Sequence, residues 1–304
     1  MTNDTNMQPQ PVLAHTCMLG ESPVWDIAQQ MICWVDILKG AVHQYSIQKN
    51  EHTIIAVNQM LGAIGLCENG NFVAALQNGF GFIDRSNHQV TMIGDPEADL
   101  PGNRFNEGKC APEGRFWAGT LALRETTGAG NVYCLQPDLS VSKKIEGVTV
   151  SNGIAWSIDK RVFYYIDTPT LEIAAYDYDT VNGSIANRRT AIRIDKEEGF
   201  PDGMTVDTDG MLWIAFWGGW KIARWNPVTG KKLLEVRLPV SRVTSCTFGG
   251  THLSDLFITT ATKDLTAEEL KQQPLAGNLF VVKNCGFTGL PSFQFRNVHE
   301  TVSV

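Results

Sequence analysis

The sequence predicts an all-β protein, a six-bladed β-propeller, from three observations. Helical periodicity is almost absent. Short runs rich in β-branched and aromatic residues alternate with Gly, Asn and Asp. One unit of turn, strand, turn, strand, strand recurs about every 40–50 residues, the period of propeller blades. Glu21, Gly62, Asn106, Asn152, Asp202 and Ser245 open successive units. Six such units closed into a ring leave only short, protected edges, whereas a β-sandwich would lack the period.

Each unit reads the same way. The opening strands are LGESPVWD, LGAIGL, NRFNEGK, TVSNGIAW, GFPDGMTVD and VTSCTFGG. The second strands are MICWVDI, GNFVAAL, GRFWAGTL, RVFYYID, GMLWIAFW and SDLFITTA, and a further strand follows each after a polar turn. Residues 12–18 precede the first unit and are expected to give an outer strand to the last blade, joining the chain ends. Residues 1–10 read as a flexible tail and 11–304 as one propeller domain. The one helical stretch is 265–272, LTAEELKQ, where Thr266 can cap and Glu268 and Glu269 occupy the first turn.

With 304 residues the chain can bury a large core. A net charge of −7 argues against nucleic acid, whose phosphates demand a basic face. No apolar run is long enough to span a bilayer, and MTNDTNMQPQ lacks the basic and apolar regions of a secretory signal. The seven cysteines form no CxxC pair. They read as small buried hydrophobes in a reducing, cytoplasmic setting, and their spacing signals no thiol zinc site. The expected partner is therefore a small molecule, with neither nucleic acid nor membrane.

In a propeller the innermost strands line a central channel, so polar residues at their openings converge. Glu21, Asn106, Asn152 and Asp202 offer carboxylate and amide oxygens there, a hard set suited to Ca²⁺, Mg²⁺ or Mn²⁺ and tolerant of Zn²⁺. Singly, Asn152-Gly153 and Asp202-Gly203 are ordinary turn signals; their shared place in the repeat sets them apart. No histidine sits at an opening, and there is no GxSxG segment, no GxxxxGK[ST] loop and no βαβ unit. Serine-nucleophile, phosphate-loop and nicotinamide chemistry are thereby disfavoured. Trp217 and Trp220, in FWGGW, either wall a pocket or belong to the core.

The segments LGESPVW, WVDI, NRFNEGK, GRFWAGTL, SNGIAWS, YYIDT, FPDGMTVD, LWIAFWGG, TSCTFGG and PLAGNLF, in order across residues 19–282, resemble the SMP-30/gluconolactonase/regucalcin-like family. The resemblance implies that Glu21, Asn152 and Asp202 ligate one divalent cation (Ca, Mg, Mn, Zn or Fe), with Asp202 also the general base. It implies that Arg104 and Asn106 hold the substrate. Glu107 stands where the family typically has Asp. Arg124, with Glu125 beside it, stands nearest a family Glu, so the charge of that wall is expected to reverse and to favour an acidic substrate. The implied activity is metal-dependent hydrolysis of a sugar lactone, such as gluconolactone or a pentonolactone, to the aldonic acid. A metal-dependent esterase or phosphotriesterase, and a Ca-binding regulatory or scaffold propeller, remain as alternatives.

Overall fold

The computed structural model describes residues 7–298. Its sheets are six, and each contains a four-stranded antiparallel blade. Blade one runs outward through Gly20–Asp26, Met31–Asp36, Ala41–Ser46 and Glu51–Ala56. The innermost strands of blades two to six are Leu61–Cys67, Asn103–Cys110, Ser151–Trp156, Phe200–Val206 and Val243–Gly249. These inner strands are buried almost throughout, as expected for strands covered on both faces and at one edge. Trp34, Trp117 and Trp213, from the second strands of alternate blades, are almost wholly buried. Trp25 of blade one stacks on Phe257 of blade six, their rings 5.5 Å apart, so aromatic packing spans the seam of the ring.

The strand ends explain part of the repeated sequence. Asp36, closing MICWVD, accepts the backbone N–H groups of Met18 and Leu19. Asp167, closing VFYYID, does the same for Thr149 and Val150. In both blades a terminal carboxylate satisfies backbone donors just ahead of the inner strand.

The ring closes through the N-terminal segment, but one step earlier than the sequence indicates. Gln10–Pro11, not residues 12–18, pairs with Phe280–Val282 as the outer strand of blade six. Residues 12–18 instead travel from that outer edge to the inner strand of blade one, and a segment crossing a blade cannot also lie along it. Pro11 is tolerated because this is an edge strand. Gln10 therefore belongs to the sheet, while residues 1–6 of the expected tail lie outside the described residues. The helix forms at Ala267–Gln272, with Thr266 and Glu269 making a reciprocal capping box. Among the described residues no helix is long and apolar enough to cross a membrane.

The C-terminal segment has a role the repeats do not announce. Gln294–Phe295 adds a parallel strand to Leu66 and Cys67 at the end of an inner strand. Phe295 is fully buried there. Leu290, Pro291 and Phe293 then line a small cavity of about 80 Å³ together with Glu107 and Lys109. The segment thus stoppers one end of the central channel.

Candidate active site in the central channel

All six inner strands carry a break in register near their starts. The breaks fall between Glu21 and Val24, Leu61 and Ala63, Phe105 and Glu107, Ser151 and Ile154, Pro201 and Met204, and Val243 and Ser245. A bulge re-aims a side chain that regular pairing would leave in the sheet. Asn106, Asn152 and Asp202 lie inside these breaks and Glu21 borders one. The Asn-Gly and Asp-Gly pairs are thus bulges within strands, not hairpin turns. Their glycines are needed for close approach. A Cβ on Gly153 would fall 2.8 Å from the Asp202 carbonyl oxygen, and one on Gly203 2.1 Å from Ser245 Oγ.

The bulges aim into a cavity of about 470 Å³ lined by Glu21, Arg104, Asn106, Asn152 and Asp202 at its buried end. Trp217, Arg242 and Lys263 line it further out, as do Glu125, Lys196 and the exposed Phe200. The Arg242 guanidinium sits 4.7 Å from the centre of the Trp217 ring. Trp217 is thus a wall residue, whereas Trp220 does not line the cavity.

A chain of amides fixes the orientation of Asn152. Arg104 Nη1 donates to Asn106 Oδ1 (2.8 Å), and Asn106 Nδ2 donates to Asn152 Oδ1 (2.9 Å) and to the Ser151 carbonyl (2.8 Å). Asn152 Nδ2 donates to Thr168 Oγ1 (2.8 Å), whose hydroxyl donates to the Pro201 carbonyl (2.8 Å). Asn152 is thereby held with its oxygen toward Asn106 and its nitrogen toward Thr168. Both amide hydrogens of Asn106 are spent inside the protein, and its Oδ1 already accepts from Arg104, so one role of Asn106 is to orient Asn152.

The electrostatics are unbalanced. Glu21, Asp202 and Glu107 are all buried. Burial, then the neighbouring charges of Asp202 and Glu107, pushes the Glu21 carboxyl well above the usual range. Burial and then Glu107 do the same to Asp202. Burial also raises Glu107, against the pull of Lys109. Burial brings the Arg104 guanidinium down to about 10, which leaves it cationic. Asp202 Oδ1 is buried without a hydrogen-bond partner. An orphaned carboxylate oxygen, a second buried carboxylate and an oriented amide oxygen are the donor set of a hard divalent cation. Glu21, Asn152 and Asp202 therefore fit such an ion.

Two expected site residues are placed elsewhere. Glu107 follows the bulged Asn106, so it points to the stoppered side; its Oε1 accepts the Gly108 N–H (2.9 Å) and it lines the small cavity with Lys109. Arg124 is exposed and does not line the large cavity. Glu125 does, because the turn after Phe116–Ala122 puts Glu125 in the left-handed region (φ 52°). The wall thus keeps an acidic group and the expected reversal of charge does not occur there. Thr168, Arg242 and Lys263 were not anticipated. They lie at strand ends or in connecting loops, where the repeat carries no signal beyond charge.

A family model described as the SMP-30/gluconolactonase/LRE-like region matches residues 19–262. The chain belongs to this family. It is 39% identical to regucalcin of Danio rerio over 279 residues, covering 91% of this chain and 94% of that one. Among solved structures it superposes on a calcium-binding protein, regucalcin, of Agrobacterium tumefaciens with a TM-score of 0.91 and 26% identity, covering 95% and 98% of the two chains. A luciferin-regenerating enzyme gives a TM-score of 0.89 at 28% identity over 95% and 99%. The SMP-30/gluconolactonase membership and the six-bladed ring agree with the reading of the repeats.

Proposed function

We propose that the protein hydrolyses a sugar lactone to its aldonic acid, using one divalent cation held by Glu21, Asn152 and Asp202. The observation that carries this reading is the buried, unpartnered Asp202 Oδ1, set beside a second carboxylate and an oriented amide oxygen at the end of a sugar-sized cavity. The family description, which names gluconolactonase, supports it.

When bound, the cation supplies Lewis acidity toward a carbonyl oxygen and lowers the pKa of water. The chain's own residues supply the rest. Asp202 takes the proton of the water that adds to the lactone carbonyl, and returns it to the ring oxygen as the ring C–O bond breaks. The products are one carboxyl and one freed hydroxyl, so the proton is conserved within the step. Arg104, cationic and anchored through Nη1, orients the sugar toward the carboxylates. Trp217 gives the ring an apolar face. Arg242 and Lys263 carry positive charge at the outer cavity, where a carboxylate product leaves. Seven buried cysteines with no disulfide among them suit a reducing compartment such as the cytoplasm.

The test is acid release from a panel of hexono- and pentonolactones by chelator-treated protein, with Ca²⁺, Mg²⁺, Mn²⁺, Zn²⁺ or Fe²⁺ restored separately. Cation-dependent hydrolysis above the spontaneous rate, lost in Glu21→Ala, is expected. The same cation dependence on esters or phosphotriesters but on no lactone would reassign the substrate. Cation binding without turnover of any ester would leave a calcium-binding propeller, the reading that the name of the Agrobacterium relative favours.

A further inference from the structure

The segment that closes the ring carries a second group of ligating side chains, opposite in chemistry to the channel. Residues 12–18 are pinned along their path: Val12 N–H donates to the Leu279 carbonyl (2.8 Å), Cys17 N–H to the Gly277 carbonyl (2.9 Å) and Met18 N–H to Asp36 Oδ2 (2.8 Å). This path lays His15 and Cys17 against blade one. There Trp34 pairs with His43 on the neighbouring strand, and His52 lies diagonally beyond on the same face. Trp34 stacks on both imidazoles, with centroid separations of 5.0 Å to His43 and 5.5 Å to His52. His15 packs 4.6 Å from His43, ring to ring.

The polar atoms of this cluster face one another. His43 Nε2 lies 4.0 Å from Cys17 Sγ, and His43 Nδ1 lies 3.1 Å from His52 Nε2. One potential ligand atom from each of His15, Cys17 and His43 falls within 4.8 Å of the others. Trp34 Nε1 donates to Cys17 Sγ at 3.4 Å. The contact between His43 Nδ1 and His52 Nε2 accommodates the tautomer in which His43 Nδ1 donates and Nε2 offers its lone pair beside the sulfur, the outer support that metal-binding imidazoles usually have. No carboxylate hydrogen-bonds to the His43 or His52 ring among the described residues. Burial, then His15 and His52, depresses His43 to about 3, which keeps it in the neutral, ligating form.

We propose that His15, Cys17 and His43 form a binding site for one thiophilic divalent cation, Zn²⁺, which clamps the closing segment onto blade one. A thiolate and two imidazoles select Zn²⁺ over Ca²⁺ and Mg²⁺, the reverse of the preference of an all-oxygen set. Metal–ligand bonds of about 2.0–2.3 Å imply tetrahedral edges of about 3.5 Å, so separations of up to 4.8 Å close by as much as about 1.3 Å on binding. Cys17 loses its thiol proton to solvent, the imidazoles each give a lone pair, and water completes the shell. The site escaped the cysteine spacing because its ligands come from the closing segment and from the third strand of blade one.

Co²⁺ titrated into chelator-stripped full-length protein separates this site from the channel, because only a thiolate gives a near-ultraviolet sulfur-to-cobalt band. The expected result is a band that saturates at one Co²⁺ per chain and is displaced by Zn²⁺, with a rise in Tm on adding Zn²⁺. The band should vanish in Cys17→Ser, weaken at least about tenfold in affinity in His15→Ala, and persist in Asp202→Asn. His15 is half-buried on the crossing segment, so its truncation spares the core and keeps the test open if Cys17→Ser folds poorly. Absence of the band at saturating Co²⁺, or its survival in Cys17→Ser, would overturn the proposal.

Discussion

The two ends of the central channel are built by the same device and finished differently. Both draw on inner-strand residues at or just beyond a bulge. At the stoppered end, Glu107 has Lys109 beside it and the C-terminal Leu290, Pro291 and Phe293 across the opening. Lys109 Nζ is itself tied to the Met204 carbonyl at 2.6 Å. At the open end, Glu21 and Asp202 form no ion pair among the described residues, and Arg104 spends its Nη1 on Asn106 and the Phe105 carbonyl. A buried carboxylate without a paired cation is strongly unfavourable. Glu107 is partly offset by Lys109 and covered by the C-terminal segment, whereas Asp202 Oδ1 is left buried without a hydrogen-bond partner, the contrast expected between a structural acid and a functional one.

The largest test of that difference is a pair of variants, one at each end. Asp202→Asn keeps the shape but removes a ligand charge and the proposed base, so lactone turnover should fall by about 10²–10⁴-fold. Lys109→Met, at the stoppered end, should leave kcat within about threefold while lowering stability by about 1–3 kcal/mol through the uncompensated Glu107. Equal losses of turnover in the two variants would erase the distinction.

A second test uses pH. Glu21, Asp202 and Glu107 all have raised values in the folded, cation-free protein. Between the ordinary carboxylate range and those raised values the folded state holds more protons than the unfolded one, so stability falls as pH rises. The slope is about 1.4 kcal/mol per pH unit for each extra proton held. The Tm of chelator-treated protein should therefore drop as pH rises above the ordinary carboxylate range, and a divalent cation that binds the ionised carboxylates should flatten the drop. A Tm that instead rises with pH there without cation would contradict the charge imbalance at the open end.

Much of this was legible in the sequence, for identifiable reasons. The blade period is written in strand-length runs, and Glu21, Asn106, Asn152 and Asp202 recur at one point of it, so the fold and these four cavity-lining residues emerge together. Bulges are harder to see. Asn106 looks like a ligand in NRFNEGK, and only its hydrogen bonds reveal that it faces Asn152. Glu107, one residue on, is carried to the other side of the bulge, and Glu125 rather than Arg124 enters the cavity through a left-handed turn residue. The C-terminal stopper and the His15–Cys17–His43 cluster join segments distant in sequence, which no local pattern records.

The hydrogen bonds of Asn106 change what its loss should do. Asn106→Ala removes the donor that holds Asn152 Oδ1, and supporting residues of this kind are worth about 10–100-fold in metal affinity. Calorimetric titration of the cation should show that loss, and KM for the lactone at saturating cation should move little. If KM rises while cation affinity is unchanged, Asn106 contacts the substrate, as the family resemblance implies.

The smallest effect is expected at the far end of the same chain of amides. Thr168 Oγ1 accepts from Asn152 Nδ2 and donates to the Pro201 carbonyl. The hydroxyl thus ties the Asn152 amide to the strand that carries Asp202. Thr168→Val keeps the volume and removes both bonds, so the amide nitrogen loses its anchor and can rotate toward the cation position. One hydrogen bond is worth about 1 kcal/mol net, so cation affinity should weaken by about tenfold or less, with Asn106 still holding the oxygen. Thr168→Ser should restore it, because the hydroxyl and not the methyl fixes the amide. Equal weakening in the serine and valine variants would show that Thr168 acts by packing, and would leave Asn106 as the sole anchor of the amide ligand.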